Sequence, residues 1–300
     1  MVASVQMTAQ TARTGWHGKA DFVYDQRGPK TVPTRSFTQA PLKVQRPLYP
    51  EGAEVCHSVL VHTAGGMVGG DQLTVNIQTH PHSRALITTA AANKIYGHGE
   101  GLGAEVESTA VLAQTQQTVT LTLAPGSCLE WFPQDTIIFS GAQYHQRLRV
   151  NLAEGALWCG WDVTRFGRSA GGERFSQGRW RSDLEVWQGD LPLWVDRQQV
   201  AGGSLALDSA NGLAGQAVVG NLALVGWMPS PEQVATLRDL WPRDQSGAVG
   251  VSRLQKGVLC RYRGPSSEAA HCWFVAVWQV LRPLYLGRPA VASRVWPRLG

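Results

Sequence analysis

The sequence predicts a mainly β protein assembled from many short strands, with helix confined to two stretches near the C-terminus. Three observations carry this. The 300 residues include 33 glycines, 16 prolines and 12 tryptophans beside many Val and Thr, a composition that favours pleated strands joined by tight turns. Short apolar or alternating segments recur between turns bearing Gly and Pro. Long helical periodicities are few, and the two clear ones fall after residue 229.

Taken in order, residues 1–14 are polar and are expected to be flexible. Ala20–Tyr24 and Thr31–Arg35 read as hairpin arms turning at Gln26-Arg27-Gly28-Pro29. Leu42–Gly52 reads as a strand edged by prolines. Val59-Leu60-Val61 then leads through four glycines (Gly65, Gly66, Gly69, Gly70) to Asp71 and the alternating Leu73, Val75, Ile77. Two Gly-Gly pairs indicate a crowded, sharply bent connection between two strands. A Walker-type phosphate loop is excluded, because Asp71 stands where its lysine must be and a strand follows instead of a helix.

Three later segments share one plan, a small polar turn and then a short apolar strand: Pro81–Ile87, Pro125–Trp131 and Glu154–Cys159. The uneven spacing of this echo suits stacked layers in a β-helix or a sandwich better than a fixed-period propeller or solenoid. Ser230-Pro231-Glu232-Gln233 is a capped helix start, with Val234, Leu237 and Trp241 on one face and a stop at Pro242. A second helix is expected from about Ser267 to Leu281, ending before Pro283. It is apolar nearly all round and so calls for burial in the fold or in a partner. Residues 283–300 read as an irregular basic tail.

The net charge of +5 comes without a Lys/Arg run, so nucleic acid is not an expected partner. Five cysteines in apolar surroundings with no CxxC spacing read as reduced core thiols. With no apolar run near membrane length, a cytoplasmic protein is expected. Gly167-Arg168-Ser169-Ala170-Gly171 matches G-x-S-x-G, but Gly171-Gly172 cannot open the helix that a hydrolase nucleophile at Ser169 needs. Gly97–Gly103 misses the dinucleotide fingerprint and reads as a mobile loop. A β-rich ligand-binding module using Trp as stacking platforms is the other alternative. Carboxylates set in strand patterns, among them Glu130, Asp162 and Glu185, face either solvent or a polar interior suited to a divalent ion in passage.

These blocks together resemble the urease accessory protein UreD (UreH) family over nearly the whole chain. The likeness rests on Leu42–Glu51, on Cys56-His57 and His62 through Leu73, on Leu86–Thr89 and Lys94-Ile95-Tyr96, and on Leu129–Asp135. It continues through Phe166-Gly167-Arg168, Gly172–Phe175, Leu184–Trp187, Trp278–Pro283 and Arg294-Val295-Trp296. The chain departs from the family at His62-Thr63-Ala64, where His-Pro-Pro is common, and at Ala90–Asn93, where a glycine is frequent. The resemblance implies a single UreD-like domain over residues 1–300, stacked and β-helix-like, with no enzymatic activity and no tightly bound cofactor. It implies a scaffold that binds apo-urease and UreF, through UreF the GTPase UreG, and passes nickel in transit along an internal tunnel. The matching carboxylates are Asp71, Asp162 and Asp196, with Glu130, Glu173 and Glu185 as further members of that path. Trp278, Leu281 and Arg282 on the terminal helix are the expected UreF contact.

Overall fold

The computed structural model describes residues 15–97 and 113–296. The polar start, the glycine run from His98 onward and residues 297–300 lie outside them. The described chain is mainly strand. Its first half contains β1 (His17–Arg27), β2 (Lys30–Gln39), β3 (Leu42–Val44), β4 (Val55–His62), β5 (Gln72–Thr79), β6 (Arg84–Thr89), β7 (Asn93–Ile95), β8 (Thr115–Leu123), β9 (Cys128–Phe132) and β10 (Thr136–Ile138). There follow β11 (Gln143–Leu152), β12 (Leu157–Phe166), β13 (Arg179–Gln188), β14 (Leu191–Ala201), β15 (Val218–Val225), α1 (Pro231–Asp239), β16 (Ala248–Leu254), β17 (Gly257–Gly264) and α2 (Ser267–Leu286).

The strands form two sheets, a front sheet in the order β14-β13-β11-β8-β5-β1-β2 and a back sheet in the order β16-β17-β15-β12-β9-β6-β4-β3. From β4 to β13 the chain crosses from one to the other at each circuit. Each crossing lays a strand parallel to the one before it, β4, β6, β9 and β12 in the back sheet and β5, β8, β11 and β13 in the front. The stacked arrangement expected from the sequence is present in this form. Antiparallel pairs, β1 with β2 and β13 with β14, finish the front sheet. The β1–β2 hairpin turns at Gly28-Pro29 as expected, whereas the strand beginning at Leu42 is only three residues long.

The loose threefold echo in the sequence is the corner of this winding. Its segments lead into β6, β9 and β12, which are successive parallel neighbours, and the Cys128 and Leu157 amides donate to the Ser83 and Ser127 carbonyls one circuit earlier. The corner residue takes positive φ every time, His82 (63°), Gly126 (70°) and Gly155 (72°). The left-handed conformation is cheap for glycine and costly for histidine. At Gly126 a side chain is also excluded by the ring of His82 one layer below, whose Nδ1 would lie 2.5 Å from an added Cβ.

Two apolar layers result. One fills the space between the sheets, with Phe22, Tyr24, Ile77, Leu121, Trp131, Val150, Trp158 and Trp180. The other lies between the outer face of the back sheet and the helices, with Trp161, Leu222, Val234, Leu237, Trp273, Phe274 and Trp278. Helix α1 starts where expected: the Ser230 side chain accepts from the Gln233 amide while Gln233 accepts from the Ser230 amide. Helix α2 corrects the expected boundary. It runs through Pro283 to Leu286 and stops at Gly287 in the left-handed conformation. Proline forfeits only the bond to the carbonyl four residues back, and the side chains on both sides of it, Trp278, Leu281, Arg282 and Tyr285, are packed or hydrogen-bonded against the back sheet. The segment after α2 is irregular and tied down, by Arg288 to Glu54, Arg294 to Gln45, and Trp296 Nε1 to Thr88 Oγ1 at 2.9 Å. Four cysteines are buried free thiols, and the fifth, Cys272, faces outward on α2, which corrects its expected place in the core.

Candidate functional site, a polar corridor between the sheets

Strand alternation sends every second side chain into the space between the sheets. On three neighbouring front strands these inward positions include a polar side chain: Gln117 between Thr115 and Val119, Gln146 between Tyr144 and Leu148, and Ser182 between Trp180 and Leu184. Opposite them, β12 turns Asp162 inward between Gly160 and Thr164. Gln146 spans the gap, its Nε2 donating to Asp162 Oδ2 and to Ser182 Oγ, both at 3.0 Å.

Asp162 and Gln146 line a cavity of about 470 Å³ between the sheets, otherwise mainly apolar, with His62, Asn93, Gln117 and Thr136 among its other polar residues and Lys94 and Arg147 as its cations. Its lining reaches solvent at Gly65, Ala91 and Lys94. Among the described lining residues Asp162 is the one carboxylate. Burial, with the charges of Asp196 and Asp135 acting the same way, pushes its carboxyl up to about 6 against the hydrogen bond from Gln146. Burial also lowers His62, more than Asp71 and Asn93 raise it, so its imidazole is neutral near pH 7 and keeps a lone pair. Tyr144 is 1% exposed; burial and the charge of Asp162 raise its hydroxyl, while the Asn93 side chain acts on it the other way as a hydrogen-bonding neighbour.

The polar row continues past the cavity. In the back sheet Asp162 sits beside Asn221, and Asn221 beside Arg261. Arg261 crosses to the front sheet and pairs with Asp196 at 3.1 Å, and Asp196 also accepts from Gln198 at 2.9 Å. Asp162 and Asp196, the two family-implied carboxylates from different sheets, are thus brought to one layer.

The other expected path residues stand elsewhere. Asp71 closes the glycine turn, accepting from the Trp16 and Val68 amides at 2.8 and 2.9 Å. There Gly66, at φ 154°, leaves no room for a side chain, since a Cβ would meet the Lys94 carbonyl at 2.5 Å. Replacing Asp71 with alanine orphans both amides and is expected to cost about 1–2 kcal/mol, seen as a lower denaturation midpoint. Glu173 binds the Ser140 amide and Arg168 in a loop. Glu185 faces solvent from the front sheet, held by Arg149, Arg197 and Trp187. Glu130 points away from the corridor, beneath α2, where it meets Trp278, Arg282 and Tyr285. Glu130, Glu173 and Glu185 therefore do not line the inter-sheet cavity. Trp278, Leu281 and Arg282 are each 0% exposed, which corrects the expectation that they touch a partner directly.

Sequence reasoning missed Asn93, Tyr144, Gln146, Ser182, Asn221 and Arg261. The available signal was the run of polar residues at core-facing positions of adjacent strands, visible only once the pairing is known. No group of three or more His, Cys, Asp or Glu that could hold a metal ion occurs among the described residues. Ser169 sits on an exposed loop before a single 3-10 turn, Ala170–Gly172, and the next regular element is β13, so the strand–serine–helix context of a hydrolase is not formed. Seven tryptophans lie in the apolar layers, which leaves them unavailable as stacking platforms.

A family model described as UreD urease accessory protein matches residues 17–297. The chain belongs to the UreD family. It is 50% identical to a urease accessory protein UreD from Acaryochloris marina, over 97% of this chain and 99% of that one. A UreD of Nostoc punctiforme is 52% identical over 94% of this chain and 96% of its own length. The UreD of the more distant Methylobacillus flagellatus retains 38% identity over 96% and 97%. Among the described residues of this UreD-family chain no helix is long and apolar enough to cross a membrane.

Proposed function

We propose that the chain is a non-catalytic scaffold of urease maturation in the cytoplasm, which binds apo-urease and UreF, with UreG recruited through UreF, and passes nickel along the corridor. The observation that carries this reading is the inter-sheet cavity, whose mainly apolar lining carries a few polar side chains and a single carboxylate, Asp162. Oxygen donors with one neutral imidazole suit a borderline divalent cation. A path that conducts an ion must hold it weakly, since a closed four-ligand site retains its metal. Nickel is here cargo and not a resident cofactor. The side chains bind and orient it: His62 offers a lone pair near the opening, Gln117 and Asn93 offer amide oxygens, and Asp162 supplies the charge at the inner end.

The test is the nickel content and activity of urease co-expressed with its other accessory proteins, in a host without a UreD homologue, with and without this chain. Omission is expected to leave urease empty of nickel. Full loading without the chain would overturn the reading.

A further inference from the structure

The inter-sheet cavity of about 470 Å³ is walled by apolar side chains, Leu42, Leu60, Leu73, Val75, Val119 and Leu148 among them. On the scale by which an apolar cavity of about 150 Å³ holds one benzene, it has room for an organic molecule of roughly fifteen non-hydrogen atoms. Its one carboxylate lacks a countercharge. Asp162 accepts a hydrogen bond from Gln146 and takes part in no ion pair among the described residues. The other buried acids are provided for, Glu51 and Glu130 by Arg282, Asp196 by Arg261 and Asp71 by two backbone amides. The two cations of the lining turn elsewhere: Arg147 donates from Nε to His145 on the outer face of the front sheet, and exposed Lys94 alternates with Asn93, whose side chain meets Gln117. Gln146 spends its amide nitrogen on Asp162 and Ser182, which leaves its carbonyl oxygen without a partner among the described residues.

We propose that the cavity is a binding site for a small organic ammonium compound, an alkyl- or arylalkylamine whose apolar body fills the space between the sheets and whose charged head meets Asp162. An apolar enclosure with a few convergent polar groups is the usual form of a site for an organic ligand. The ammonium group supplies what Asp162 lacks, a charged donor, and the Gln146 carbonyl can accept a second of its N–H bonds. A carboxylate kept from water without a partner is unfavourable, so pairing it gives the amine an advantage over a neutral molecule of the same shape. An anionic head would stand against Asp162 and is disfavoured. With the Asp162 carboxyl pushed up to about 6, the acid is ionised at pH 7.5 and ready to pair. The inference goes beyond nickel delivery and does not depend on it.

The test is calorimetric titration of the full chain at pH 7.5 with 4-phenylbutylamine, 4-phenylbutan-1-ol and 4-phenylbutyrate, probes of similar length that differ in the head group. The amine is expected to bind about tenfold more tightly than the alcohol, and the carboxylate more weakly than either. Asp162→Asn, shown to be folded by circular dichroism, should bring the amine down to the affinity of the alcohol and leave the alcohol unchanged, a pattern that damage to the cavity would not produce. Should that variant not fold, the wild type at pH 5, where Asp162 is largely protonated, should lose most of the preference for the amine. Absence of amine binding at millimolar concentration overturns the proposal, as does equal affinity for amine and alcohol in the wild type at pH 7.5 or a preference that survives Asp162→Asn. Nickel loading of urease enters none of these readings, so failure of the amine site is distinguishable from failure of the scaffold reading.

Discussion

Arg282→Ala is expected to destabilise the protein by about 3–5 kcal/mol, the range found when one member of a buried ion cluster is removed and the others are left without compensation. Arg282 is fully buried and sits between two carboxylates on the outer face of the back sheet. It donates through both Nη atoms to Glu51 at 2.8 Å, and through Nε and Nη2 to Glu130 at 3.0 and 3.1 Å. His57 also meets Glu51 at 2.7 Å, Trp278 Nε1 and the Tyr285 hydroxyl donate to Glu130, and the Pro289 carbonyl accepts from Arg282. The cluster joins the segment before β4, the middle of β9 and both the end and the exit of α2. Burial alone would raise the Glu51 carboxyl, but the bonds from His57 and Arg282 outweigh it and leave it below its ordinary value of 4.5.

A depressed carboxylate stabilises the fold above its unfolded value and loses that contribution as pH falls through the folded one. The wild type should therefore weaken in acid below about pH 4.5. In Arg282→Ala buried Glu130 lacks a cation at neutral pH and Glu51 keeps only Arg288, whose Nε is 3.6 Å away, so the deficit should be largest there and shrink as acid neutralises them. Chemical denaturation at pH 7 and pH 4 reads both effects. Arg282→Lys should recover only part of the loss, because an ammonium cannot make the paired fork contacts of a guanidinium. A variant as stable as the wild type that failed to bind UreF would show that Arg282 serves a partner and not the fold.

How much of this was legible in the sequence follows from what periodicity encodes. The β1–β2 hairpin and α1 are set by local chemistry, Gly28-Pro29 in one and the Ser230/Gln233 cap in the other, and both were readable. The corner of the winding left a trace, because His82, Gly126 and Gly155 must each adopt the same turn before an apolar strand. The direction of each carboxylate was not readable. Glu130 in Leu-Glu-Trp and Asp162 in Trp-Asp-Val look alike, and a sheet buried on both faces gives apolar neighbours to either. One points beneath α2 and the other into the corridor, and a shift of a single residue in register would exchange them. Glu185, in a similar setting on the front sheet, faces water because no helix covers that side of it. Arg282 was expected to meet a partner, since nothing local announces that Glu51, 231 residues earlier, lies against it.

Asp162→Asn should make the protein more stable while making it a poorer agent of nickel delivery. The wild-type carboxyl is raised to about 6 from an ordinary 3.8. A raised carboxylate favours the folded state fully only below its unfolded value, and that advantage is lost as pH rises through the folded one, here over the window from about 4 to about 6. Above that window ionised Asp162 costs about 2 kcal/mol, given the pKa difference and the partial access of cavity water. Asparagine keeps an oxygen to accept from Gln146 and carries no charge. The variant should gain about that much at pH 7.5 and nothing at pH 4, as denaturation curves at the two pH values will show. Nickel loading of co-expressed urease should fall several-fold, since the corridor loses its one cavity carboxylate. Stability and delivery moving in opposite directions separates the two roles a buried acid can play, because an acid retained for the fold would lower both when removed. On the proposed reading, a charge kept in an apolar layer against its own solvation is accounted for by the ion it would meet there. If Asp162→Asn loads urease at the wild-type rate, the ion does not pass this residue, and the polar layer must owe its presence to water alone.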